Sequence, residues 1–142
     1  MILYLDTSSL VKLYVAEKDS EEIRTLVRGA LAVATSAATY VEAKAAFARK
    51  EREGGIGKEE YKRLLVEDFQ KDWETYLTIR VSEALIRRAG DLVDKHILRA
   101  LDAVHLASAC MLRERTEHPV VFSSADERLA KAAASEAFKF SP

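Results

Sequence analysis

Short apolar runs alternate along this chain with stretches in which apolar residues recur every three or four positions. Ile2-Leu3-Tyr4-Leu5 stops at Asp6-Thr7-Ser8-Ser9, a buried strand followed by a helix N-cap cluster. A first helix is expected over about 8–15. Asp19-Ser20-Glu21-Glu22 opens a second helix with Ile23, Leu26 and Val27 inward, and 30–34 reads as a strand. Thr35 to Thr39 offers cap candidates for a long helix carrying Val41, Ala45, Ala46 and Phe47, which ends at Gly54-Gly55. Tyr61, Leu64, Leu65, Phe69, Trp73 and Tyr76 recur at helical spacing before a strand at 77–81, and Trp73 reads as core. Ser82-Glu83 starts another helix and 98–113 forms the next. Positions 119–122 are strand-like, and 126–135 is helical before Phe138-Lys139-Phe140.

Strands separated by helices, with connections too long for hairpins, predict an α/β fold with a parallel sheet covered on both faces. In such sheets the ligand site lies beyond the carboxyl ends of the strands. Asp6 and Asp126 each closely follow an apolar strand, so these distant acids are expected to meet in space. The chain has no internal repeat and no low-complexity segment.

Composition narrows the possibilities. A chain of 142 residues with 49% hydrophobic content suits one compact domain over 1–142 with a real core. A formal net charge of −1 does not advertise nucleic-acid binding, which must then come from local patches or from metal. The lone Cys110 lies in an apolar helical stretch and reads as a buried, inert thiol, so no disulfide framework is expected. No basic leader precedes Ile2 and no apolar run approaches the length of a membrane span, so a soluble, cytoplasmic protein is expected. Asn is absent and Gln70 is the only Gln, a balance compatible with a thermophile or with a GC-rich genome.

The candidate chemistry rests on Asp6, Glu42, Asp102 and Asp126, all in or beside otherwise apolar elements. An unpaired buried carboxylate costs roughly several kcal/mol or takes up a proton, so a cation is the natural partner for such a set. Asp102 has Leu98, Leu101, His105, Leu106 and Ala109 around it at helical spacing and is expected on the core side. Any one acid alone reads equally as a cap or an ion pair, Asp6 in particular. Oxygen-only ligands suit Mg²⁺ or Mn²⁺, one ion or two, and few His or Cys lie near enough in sequence to favour zinc. The matching chemistry is water activation and in-line attack on a phosphodiester. Arg99, next to the Asp102 turn, and Arg49 are candidates for holding the phosphates of such a substrate. His105 reads as a core histidine bonded to backbone, or as a support or base beside Asp102. The basic stretch Lys44, Lys50, Arg52, Lys58, Lys62 and Arg63 is interleaved with Glu51, Glu53, Glu59 and Glu60 and reads as a solvated face.

These residues carry a family resemblance. Leu3-Tyr4-Leu5-Asp6-Thr7-Ser8-Ser9-Leu10-Val11-Lys12-Leu13-Tyr14, Val41-Glu42, Arg99-Ala100-Leu101-Asp102-Ala103-Val104-His105-Leu106-Ala107 and Ser124-Ala125-Asp126-Glu127-Arg128-Leu129 resemble the PIN-domain ribonucleases. More narrowly they are similar to VapC-type toxins of bacterial and archaeal toxin–antitoxin pairs. The match spans nearly the whole chain in the right order, and its first and third segments are the specific ones. The resemblance implies a three-layer α/β/α sandwich, Mg²⁺- or Mn²⁺-dependent endoribonuclease activity, a homodimer and a small antitoxin covering the active groove. Asp6, Glu42, Asp102 and Asp126 match the family's acidic positions. Ser8 and Ser124 match hydroxyl positions near the metal, with Ser124 in place of the commoner Thr. Two other readings remain: a stand-alone PIN nuclease for RNA processing, and a non-catalytic RNA- or protein-binding module on the same fold. Haloacid-dehalogenase-type phosphotransferases also begin with a strand and Asp, but they need a second Asp where this chain has Ser8.

Overall fold

The computed structural model describes residues 1–141. Its central strand, Ile2–Leu5 (β1), sends Ile2 and Tyr4 into one apolar core and Leu3 and Leu5 into another, as the two-residue period of a strand requires. Ala32–Ser36 (β2), Leu77–Ile79 (β3), Val120–Ser123 (β4) and Lys139–Ser141 (β5) complete a five-stranded sheet of order β3-β2-β1-β4-β5. Every neighbouring pair is parallel. Buried on both faces, β1 can be continuously apolar.

Two helical layers cover the sheet. Thr7–Val11 (α1), Ser20–Gly29 (α2), Thr39–Arg52 (α3), Lys58–Arg63 (α4), a π-helical segment Leu64–Phe69 and Gln70–Trp73 (α5) lie on the side of Leu3 and Leu5. Leu10, Ile23, Phe47, Leu64 and Phe69 fill that core. Glu83–Lys95 (α6), Ala100–Glu114 (α7) and Glu127–Ser135 (α8) cover the other face through Leu85, Leu92, Leu106 and Leu129. The result is the expected α/β/α sandwich. After β1 the chain turns to one face and after the adjacent β4 to the other, so a crevice opens between their carboxyl ends, at the switch point where such sheets bind ligands.

Several local expectations shift. α1 ends at Val11, well before 15. β2 begins two residues later than the apolar run at 30–34, because Leu31 is exposed and Ala34, Thr35 and Ser36 pair with β3. On α3 the inward stripe is Thr39, Ala43 and Phe47 at four-residue spacing, whereas Val41 is 67% exposed and Ala45 points outward as well. Thr35 and Thr39 do not cap α3. The Thr35 hydroxyl lies 2.7 Å from the Leu5 carbonyl, to which it donates, and 2.8 Å from the Thr39 hydroxyl, tying β1 to α3. The regular helix expected over 58–76 contains the π-helical segment. Leu64 and Phe69, five residues apart, are both buried, and winding with i→i+5 bonds brings that spacing to one side. Trp73 packs beside Phe69 with ring centroids 5.7 Å apart, and Cys110 is buried and free, both as expected. Among the described residues no helix is long and apolar enough to cross a membrane.

Candidate acidic active site

Asp6 follows the last residue of β1 and is 3% exposed. One of its oxygens, Oδ1, accepts from the Ser9 backbone N–H at 2.9 Å, capping α1, and from the Ser8 hydroxyl at 2.7 Å. The other, Oδ2, accepts from Ser124 just beyond β4 at 2.6 Å. Ser8 returns across the same gap, its hydroxyl accepting from the Ala125 backbone N–H at 3.0 Å. The two strand ends are thus stitched together through the two serines that match the family's hydroxyl positions. Capping and site-building are one role here, since the oxygens that cap α1 also line the crevice. Burial pushes the Asp6 carboxyl up from its ordinary value, against the opposing pull of His105 and of the Ser124, Ser8 and Ser9 bonds.

Asp126 is the N-cap of α8, its Oδ1 accepting from the Leu129 N–H at 2.9 Å. Asp102 sits in the first turn of α7 and faces the crevice, not the core, while its neighbour Leu101 is 48% exposed. Arg99, at the N-cap position of the same helix, reaches both acids: Nε donates to Asp102 Oδ2 at 3.0 Å and Nη2 to Asp126 Oδ2 at 3.1 Å. The facing carboxylates raise the Arg99 pKa, first through the Asp102 bond.

Glu42 stands on α3, its Oε1 accepting from the Thr7 hydroxyl at 2.8 Å and lying 3.0 Å from His105 Nε2. Burial raises Glu42, but the His105 imidazole, then Thr7 and Arg99, outweigh it and hold the carboxyl below its usual value. His105 is buried as expected, yet its ring partners among the described residues are the side chains of Glu42 and Thr7 on one nitrogen and of Tyr4 on the other, and not Asp102 or backbone.

Asp6, Glu42, Asp102 and Asp126 line one cavity of about 590 Å³ together with Ser8, Arg49 and Arg99. Ser124 reaches this site through Asp6. Residues 6 and 126, 120 apart in sequence, do meet. A buried charge that sequence reading missed is Lys12, 6% exposed and lining the same cavity, with Nζ 3.4 Å from Asp19. Its place four residues after Ser8, hence on the same side of the chain's first turn, was the available signal. Thr7 was missed as well, although a hydroxyl directly after Asp6 pointed to it.

Among the described residues no three His, Cys, Asp or Glu side chains stand close enough together to hold a metal ion. The bonds already made explain this: the acids are held by hydroxyls, His105 and Arg99. The donor chemistry nevertheless fits a hard cation. All four candidates offer carboxylate oxygens, Asp6 is desolvated and among the described residues forms no ion pair, and the Arg99 guanidinium already lies between Asp102 and Asp126 as a positive charge would.

Fold and site together define the class of α/β/α proteins that gather carboxylates at the switch point of a parallel sheet. Residues 3–135 match the PIN domain, and the chain belongs to the PIN-domain family. Within it the chain groups with the VapC ribonucleases: it is 33% identical over 112 residues to Ribonuclease VapC45 of Mycobacterium tuberculosis, covering 76% of this chain and 74% of that protein. Its fold is shared with a toxin–antitoxin complex from Klebsiella pneumoniae at 18% identity, 90% coverage of both chains and a TM-score of 0.64. It is also shared with VapC20 of Mycobacterium tuberculosis, described as a sarcin–ricin loop cleaving toxin, at 15% identity, 92% and 94% coverage and a TM-score of 0.59.

Proposed function

We propose that this chain is a Mg²⁺- or Mn²⁺-dependent endoribonuclease, a single nuclease domain over 1–142 acting in the cytoplasm as the toxin of a toxin–antitoxin pair. The observation that carries the reading is the convergence of Asp6, Glu42, Asp102 and Asp126 on one cavity at the carboxyl ends of β1 and β4. The VapC relationship supports ribonuclease chemistry and a small cognate antitoxin.

In this reading the four acids hold the ion, which when bound supplies charge stabilisation to the phosphodiester and a more acidic water. Ser8 and Ser124 keep Asp6 fixed, each bonding a different carboxylate oxygen. Arg99, bonded to both Asp102 and Asp126 at the mouth of the site, would be the residue placed to hold an RNA phosphate beside them. Arg49, across the cavity on α3, is the second phosphate partner. The active unit is a homodimer.

The test is expression of the chain alone and with a small neighbouring gene. Slowed growth, fragmentation of cellular RNA, restoration by the neighbour and co-purification of the two proteins are expected. RNA cleavage by the purified protein without growth inhibition or a recovered partner would place it instead as a stand-alone RNA-processing nuclease. No cleavage at all would leave the fold serving as a binding module.

A further inference from the structure

Tyr4, at the centre of the sheet, is fully buried, and its ring stacks on Phe122 with centroids 5.3 Å apart. Its hydroxyl lies 3.0 Å from His105 Nδ1. The opposite ring nitrogen, Nε2, lies 3.0 Å from Glu42 Oε1 and 3.2 Å from the Thr7 hydroxyl. A carboxylate only accepts, so the contact with Glu42 requires a proton on Nε2. In the neutral ring Nδ1 is then the acceptor and Tyr4 the donor. Thr7 spends its own proton on the same Glu42 oxygen at 2.8 Å. Both bonds to Glu42 thus fall on Oε1, and among the described residues none falls on Oε2.

We infer that Tyr4 and His105 form a buried support that locks Glu42 through Oε1 and offers the single oxygen Oε2 to the reaction site, which makes His105 a positioning residue. The inference rests on the nuclease reading of the cavity. The geometry suits the role: His105 is 2% exposed and sits one turn further along α7 than Asp102, so the helix that supplies one acid at the cavity also orients another from beneath. The chain reaches from the middle strand to the cavity wall through three side chains and two bonds, Tyr4 O–H donating to His105 Nδ1 and His105 Nε2–H to Glu42 Oε1.

The test pairs His105→Gln with His105→Leu. Glutamine is able to place an N–H near the position of Nε2; leucine has similar bulk and no donor. Loss of such an outer support lowers activity or metal affinity by roughly 10- to 100-fold. His105→Leu is therefore expected to lose kcat on that scale with KM for RNA little changed, and His105→Gln to recover most of it, at matched melting temperatures. Ring-nitrogen NMR of the metal-free wild type, assigned against these variants, is expected to find the proton on Nε2.

A bare Nε2 with the proton on Nδ1 would overturn the inference, whether or not RNA is cut. So would a His105→Leu protein with wild-type kcat, or equal losses in the Gln and Leu proteins that only track stability. A wild-type protein that cuts no RNA fails the nuclease reading itself, an outcome distinct from an active wild type indifferent to His105.

Discussion

Replacing Asp6 with asparagine separates the charge of the site from its packing. The substituted side chain keeps an oxygen for the Ser9 N–H and Ser8 hydroxyl, and presents an amide toward the Ser124 oxygen in place of Oδ2. All three bonds to the carboxylate lose their charge assistance and the Ser124 bond reverses direction, but a desolvated carboxylate disappears. The metal-free stability is expected to change by only about 1 kcal/mol in either direction. The metal response is different. An ion at ten times its dissociation constant adds about 1.4 kcal/mol to the folded state, which for a domain of this size raises the melting temperature by roughly 3–7 °C. The assay is thermal unfolding of both proteins with and without millimolar Mn²⁺, and only the wild type should show the rise. The pH dependence has a definite sign. The Asp6 carboxyl is raised in the fold, so its contribution is fully present below the ordinary value of 3.8 and is lost as pH rises through the raised one. The stability difference, wild type minus Asp6→Asn, should fall across that window without metal. An equal Mn²⁺-induced rise in the Asp6→Asn protein would refute the placement of Asp6 at the cation.

Arg99→Ala removes the cation already lying between Asp102 and Asp126, so calorimetric titration should find Mn²⁺ binding several-fold tighter while KM for RNA increases; unchanged or weaker metal binding counts against competition between Arg99 and the ion. Phe69→Ala empties the ring cluster with Phe47, Tyr14 and Trp73, whose centroids lie 5.4, 5.5 and 5.7 Å away, and should cost about 3–5 kcal/mol in urea unfolding. A loss below about 1 kcal/mol would mean that the π-helical segment is not anchored as described. Glu136 is held below its usual value by Lys95 first and His96 second, so its contribution is present above 4.5 and lost as pH falls through the lowered value. Glu136→Gln should cost roughly 0.2–1 kcal/mol near neutral pH, the range of solvent-screened pairs, and nothing in acid; an equal cost at both pH values would contradict the ion-pair account.

The sheet and the acids on it were legible for one physical reason: a parallel α/β sheet buries short apolar strands and puts its site beyond their ends. Asp6 and Asp126 could therefore be paired across the chain from β1 and β4 alone. Glu42 was found as a residue, but the orientation of its helix was misjudged. The small and apolar residues of α3 lie on more than one side, and only the sheet decides that Thr39, Ala43 and Phe47 turn inward while Val41 faces out. The support beneath Glu42 was not legible, because Tyr4 and His105 are 101 positions apart and Thr7 and Glu42 are 35 apart, with no local spacing to announce either contact. His105 was noticed for its nearness to Asp102 in sequence, yet one turn of helix separates the levels at which the two act. The π-helical segment escaped for the opposite reason: Leu64, Phe69 and Trp73 fit a regular helix loosely enough that only their burial fixes the winding.

The most direct test of the central claim, that the four carboxylates act together as a cation-dependent RNA-cleaving site, is cleavage of end-labelled RNA by the purified wild-type and Asp102→Asn proteins, each in Mn²⁺ and in chelator. Cleavage by the wild type in Mn²⁺ alone, with none by a folded Asp102→Asn protein in either condition, is the predicted result. Cleavage that persists in chelator, or that survives Asp102→Asn at the wild-type rate, would contradict the claim.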